Sequence, residues 1–160
     1  MAKARVAIIM GSQNDWDAMR PAEEALEKLG IACDVRVISA HRTPGRLTDY
    51  LGTAEQEGIE VIIAGAGGAA HLAGATAAHT LLPVLGVPID SSALQGLDAL
   101  LATVQMPGGI PVATFSIGRA GAKNAGLFAG AVIALSDSSV REKLVKFREA
   151  QSAAVPERPF

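Results

Sequence analysis

Aromatic residues make up only 4% of this 160-residue chain, with one Trp, one Tyr and four Phe. The core therefore has to be filled with Ala, Val, Ile and Leu, and a stacked flavin would have only Trp16 and Tyr50 to lie against. Cysteine is scarcer still. Cys33 stands alone, which excludes an intrachain disulfide and a Cys-based zinc site and suits a reducing compartment, where it is expected to pack as a small hydrophobe. No apolar run reaches the ~18 residues of a membrane span, and no basic-then-apolar leader opens the sequence. A soluble, cytoplasmic protein is expected. Charge of either sign is not in excess: 14 Lys and Arg face 16 Asp and Glu, for a net charge of −2, which gives no reason to expect nucleic acid or an anionic membrane as partner. The three His include no i,i+4 pair, so a metal site is not expected. Gly-x-Ser-x-Gly, P-loop and Cys-nucleophile signatures are all missing.

What is present is alternation. Segments of β-branched and apolar residues at 5–10, 32–39, 60–64, 83–87 and 110–116 read as strands, and helical patterns separate them, up to Leu29, over 44–57, 71–79, 96–103 and 122–135. Pro21 interrupts the first helical pattern, so a kink or a later start is expected there. Asp34 and Arg36 alternate with apolar neighbours, which places the second strand at an edge. Five βα units with right-handed crossovers predict a single domain over 1–160: an α/β fold, a three-layer α/β/α sandwich on a flavodoxin-like parallel sheet of order 2-1-3-4-5. Val140, Leu144 and Phe147 mark one face of an extra C-terminal helix, and 153–160 is expected to trail over the surface. The apolar fraction also hints at helix surface buried between copies of the chain.

That topology puts the loops after all five strands on one rim, at the sheet's carboxyl edge. Ser39-Ala-His-Arg-Thr-Pro44 is the most chemical of them. Thr43 and Pro44 read as a helix start, which sets His41 and Arg42 at a strand-to-helix junction. An imidazole able to exchange a proton near neutral pH beside a permanent cation suits proton transfer on an anionic substrate. The same residues also fit a surface turn with a stray His and a stray Arg. Ser12, Asn14 and Asp15 have groups to hold phosphate or ribose at a helix N-terminus, or else simply cap it.

Gly65-Ala-Gly-Gly-Ala-Ala-His71 imitates a dinucleotide fingerprint, with Asp90 about 20 residues on. Alternatively it is a loop of bare backbone for a flat ligand, with a small dry pocket for a carboxyl group or CO₂. His71 ends it as a second candidate catalytic His, or as a helix-capping one; His79 has no assigned role.

Five ordered blocks carry a resemblance: Gly11-Ser12-x-x-Asp15-Trp16-x-x-Met19, Ser39 to Pro44, Ala64 to Leu72, Leu82-Pro-Val-Leu-Gly-Val-Pro88 and Gln105-Met-Pro-x-Gly-Ile-Pro111. Together they span nearly the whole chain and resemble the class I PurE family of purine biosynthesis. Its members move a carboxylate from the exocyclic nitrogen N5 of an aminoimidazole ribonucleotide to ring carbon C4. The resemblance implies no metal and no cofactor, and a homo-octamer whose C-terminal helix, about 138–152, packs on a neighbouring subunit. It implies that Ser12, Asn14, Asp15, Ser39 and Arg42 bind ribose and phosphate. It makes His41 the general acid–base with His71 beside it, and gives Ala66, Gly67, Gly68, Ala70 and Leu72 to imidazole and CO₂. Two positions depart from the family: Asn14 replaces its usual Ser, and Ala73 its usual Pro.

Overall fold

In the computed structural model, which describes residues 3–159, the apolar runs form β1 (Val6–Met10), β2 (Cys33–Val37), β3 (Val61–Gly67), β4 (Val84–Ile89) and β5 (Ala113–Thr114). They make one all-parallel sheet in the order β2-β1-β3-β4-β5, as expected. The helices between and after them are α1 (Trp16–Leu29), α2 (Pro44–Ala54), α3 (Leu72–Ala77), α4 (Leu97–Val104), α5 (Arg119–Ile133) and α6 (Ser138–Ala153). Met1, Ala2 and Phe160, which the single-domain expectation included, lie outside the described residues; the tail after α6 is exposed through residue 159. Among the described residues no helix is long and apolar enough to cross a membrane.

Strand alternation divides the core in two. Val6, Ile8 and Met10 point to a layer containing α1 and α5, while Ala7 and Ile9 point to the layer of α2 and α3. Both faces are covered, hence the unbroken apolar run in β1. At the edge, β2 is only half-buried, and Asp34 accepts from Arg36 Nε at 2.9 Å and from the Tyr50 hydroxyl at 3.0 Å. Burial and this carboxylate push the Tyr50 phenol up. Cys33 packs against the α1/α5 core, and burial pushes its thiol up to about 11, as befits an inert packing residue.

Three local expectations change. The α1 helix begins five residues before Pro21 and runs on past it, so the later start is not realised; Arg119 Nη1 donates to the Asp17 carbonyl that the proline leaves without a donor. The third strand continues past Ala64, since Gly65, Ala66 and Gly67 stay in register with Val87, Pro88 and Ile89. The fifth strand contracts to two residues, paired with Leu85 and Gly86, in a stretch that Pro107 and Pro111 deprive of ladder donors.

The helices pack closely where glycine allows it. A Cβ on Gly126 would lie 2.6 Å from the Ala22 carbonyl oxygen, so α5 approaches the backbone of α1. On α6, Val140 is buried and Leu144 half-buried against the α1/α5 layer, while Phe147 is half-buried under Lys123. Asp137 caps this helix through the Ser139 and Val140 amides and pairs with Arg5, which also pairs with Glu60. The Val140 amide and then the Arg5 guanidinium hold Asp137 below the usual carboxylate range.

Candidate active site

Four of the five carboxyl-edge loops close around one hollow of about 350 Å³. The loop after β1 supplies Gly11, Ser12, Asn14 and Asp15; the loop after β2 supplies Ser39, Ala40, His41 and Arg42. The end of β3 and its loop supply Ala66, Gly67 and Ala69, with Leu72 from α3 and Ser91 from beyond β4. The fifth loop, 117–121, does not line it.

Each polar group is held by its neighbours. Ser12 and Asp15 form a reciprocal pair: the Ser12 amide donates to Asp15 Oδ2 at 2.9 Å, and Ser12 Oγ accepts from the Asn14 amide at 3.2 Å. The capping alternative to phosphate or ribose binding is realised here, and the same residues also line the hollow. Asp15 is 8% exposed, and burial raises its carboxyl above the ordinary value against the pull of the Ser12 amide and Arg42. Ser39 Oγ accepts from the Arg42 amide at 3.1 Å, and Arg42 Nη2 donates to the Gly11 carbonyl at 2.6 Å. Thr43 stands at the helix N-cap position, but its hydroxyl does not cap α2. It bonds back to Ser39, accepting from the amide and donating to the carbonyl, both at 3.0 Å, and so fixes the turn carrying His41.

The two histidines meet. His41 Nε2 and His71 Nδ1 lie 2.9 Å apart, with the rings edge-to-face and their centroids 4.9 Å apart. His71 occupies the N-cap position of α3, yet its ring turns to His41 and makes no capping bond. One ring donates and the other accepts, so a proton on this pair is shared between two loops. His79 instead contacts the Ala75 carbonyl from the turn that follows α3.

Gly67 keeps β3 and Ser91 in contact, since a Cβ there would come within 1.8 Å of Ser91 Oγ. Gly68, at φ +58°, and the buried Ala70 shape the turn and do not line the hollow; the Ala70 amide donates to the Gly68 carbonyl at 2.8 Å. Gly11, Ala40, Ala69 and Ser91 are lining residues that the sequence reading did not select. Their position after a strand was the available signal. A second hollow of about 320 Å³ lies on the other side of Arg42, bordered by Gln13 and Arg46. Arg46 follows Arg42 by one helical turn, a spacing visible in the sequence.

The Asp15 carboxyl yields a test. Because its folded-state value is raised, the ionised form opposes folding, and that stability is lost as pH rises from the unfolded carboxylate range through the raised value. Asp15→Asn keeps an acceptor for the Ser12 amide and removes the buried charge. The thermal midpoint at neutral pH is expected to rise, while KM for a ribose-bearing substrate rises roughly ten- to a hundredfold with the loss of charge-assisted bonds. A variant with unchanged KM would remove Asp15 from the binding set.

Comparison with known proteins gives one consistent result. The sequence matches the family described as AIR carboxylase over residues 5–154. It is 59% identical over 154 residues to the N5-carboxyaminoimidazole ribonucleotide mutase of Brucella melitensis, covering 96% of this chain and 95% of that one. With the mutase of Escherichia coli K12 it shares 53% over 156 residues, covering 98% and 92%. In three dimensions it resembles the crystal structure of Treponema denticola PurE at a TM-score of 0.82 and 26% identity, over 92% of this chain and 91% of that one.

Proposed function

The chain belongs to the AIR carboxylase family, and from that membership we propose how its cavity acts. The enzyme is an isomerase of purine biosynthesis, interconverting N5-carboxyaminoimidazole ribonucleotide and 4-carboxyaminoimidazole ribonucleotide. The observation that carries the residue assignment is the His41–His71 pair, 2.9 Å apart, in which His41 lines the hollow together with Arg42, Asp15 and Gly67 and His71 stands behind it.

Ser12, Asn14, Asp15 and Arg42 take the ribose and phosphate, with Ser39 as a further phosphate contact. Ala66 and Gly67 present bare backbone to the imidazole and to CO₂, with Leu72 closing the apolar side and Gly68 and Ala70 setting the turn. Protonated His41 gives its proton to N5 as the N5–carboxyl bond breaks, releasing CO₂ into the hollow. Ring carbon C4 then forms a bond to that CO₂, and neutral His41 removes the C4 proton to restore aromaticity. The His ends as it began, and no net proton is consumed. His71 bonds to whichever protonation state of His41 is present. Retaining CO₂ in a closed site supplies the proximity that a free bimolecular carboxylation lacks.

No step passes through a metal or cofactor. The assembly is a homo-octamer in this reading, and exposed apolar residues such as Leu81, Leu101 and Leu135 support burial between copies. Half-buried Leu144 and Phe147 and exposed Val145 leave α6 apolar surface for contact with another subunit.

The test follows the two carboxylated ribonucleotides by ultraviolet absorbance. Interconversion without added bicarbonate, persisting in EDTA, is expected. Turnover of aminoimidazole ribonucleotide only with added CO₂ would instead make the chain a direct carboxylase, and binding without turnover a nucleotide-binding module.

A further inference from the structure

Pro21 lies inside α1, where its ring nitrogen has no hydrogen to give the Asp17 carbonyl one turn earlier. A helix first turn so weakened would ordinarily leave that oxygen to water. Here Arg119, 102 residues away, donates to it through Nη1. Arg119 is the first residue of α5, and its neighbour Gly118 donates its amide to the Pro88 carbonyl at 2.8 Å, at the end of the inner strand β4. The contact therefore runs from the carboxyl edge of the sheet to the start of α1. That start is continuous with the 3₁₀ turn Gln13–Asp15, which carries the Ser12–Asp15 pair of the cavity wall.

We infer that Arg119 is a positioning residue for substrate binding, fastening the Ser12–Asp15 turn to the sheet through the one carbonyl that Pro21 leaves unpaired. It lines no part of the hollow and touches no reacting atom. The inference rests on the assignment of Ser12 and Asp15 to ribose and phosphate. Its distinguishing feature is conditionality. The arginine matters only because the proline is present, so restoring an N–H at position 21 should make it dispensable.

The experiment is a double-mutant cycle in the assembled enzyme, using Arg119→Met, which keeps an apolar stem without donors, Pro21→Ala, and both together. Two readouts are followed: amide hydrogen exchange across residues 12–20, and KM against kcat. R119M is expected to speed exchange in that segment and to raise KM about fivefold, the scale of one exposed charge-assisted bond, with kcat nearly unchanged. In the P21A background the same arginine change is expected to alter neither. Equal penalties in both backgrounds would overturn the inference, because they would show Arg119 acting through something other than the Asp17 carbonyl. Exchange that responds while KM does not would overturn the positioning role. Neither result bears on whether Asp15 binds ribose, which its own variant decides.

Discussion

His41→Asn is expected to leave the folded protein intact and to lower kcat by roughly 10²–10⁴-fold, the usual worth of a positioned general acid–base. The side chain is exposed and its one intrachain bond is to the exposed His71, so the substitution opens no cavity and strands no buried group. The thermal midpoint should move by no more than surface substitutions generally do, about 0.5 kcal/mol in stability. Asparagine offers polar atoms but cannot carry a proton from N5 and later accept one from C4. KM should change little, because the proposed ribose and phosphate contacts, Ser12, Asp15, Ser39 and Arg42, are left in place. The measurement is steady-state turnover together with equilibrium binding of the carboxylated ribonucleotide. A variant turning over within tenfold of the wild type would end the proposed role.

Gly67→Ala is the second large effect, and its cause is spatial. The added Cβ would sit 1.8 Å from Ser91 Oγ, 2.8 Å from Ser91 Cβ and 3.1 Å from the Ile89 carbonyl. Rotating the serine hydroxyl relieves only the first. The end of β3 must then move away from the end of β4, where Gly67 and Ile89 are in register, and the wall of the hollow moves with it. Overpacking of this kind costs about 1–3 kcal/mol of stability. The catalytic loss should be larger, roughly a hundredfold in kcat/KM, because near-attack geometry tolerates little displacement. Ser91→Gly in the same chain removes both serine atoms and should recover most of the activity. Gly68→Ala is a useful contrast: nothing lies within 4 Å of a Cβ there, and only the positive φ of +58° opposes it. Full activity in G67A would show that the hollow does not depend on that close approach.

How much of this could be read in advance depended on how local its causes were. Strand order followed from the sequence of apolar runs and from Asp34 and Arg36, which no central strand would carry. The shared rim followed from strand order, and with it the grouping of Ser12, Asp15, Ser39, His41 and Arg42. What stayed hidden was set by partners distant in sequence. The β3 ladder runs on to Gly67 because β4 continues beside it, and the carbonyl that Pro21 leaves open in α1 is met by Arg119, 102 residues on. Thr43 had the right identity for a cap but found Ser39 first. The His41–His71 contact required the relative placement of two loops, which sheet register decides. Ser91 had only its place after a strand to mark it, and it becomes specific only when Gly67 is seen against it.

Arg42, the residue proposed to meet the phosphate, is already anchored within the chain, its guanidinium bonded to the Gly11 carbonyl at 2.6 Å and within 3.4 Å of Ser39 Oγ. A long, flexible side chain thus surrenders most of its rotameric freedom during folding and little of it during binding. Three of its five N–H donors remain to meet an anion on a fixed plane. Discrimination among phosphorylated ligands at this position should accordingly follow the ligand's own stiffness and the angle at which its oxygens arrive, with the protein acting as a rigid gauge.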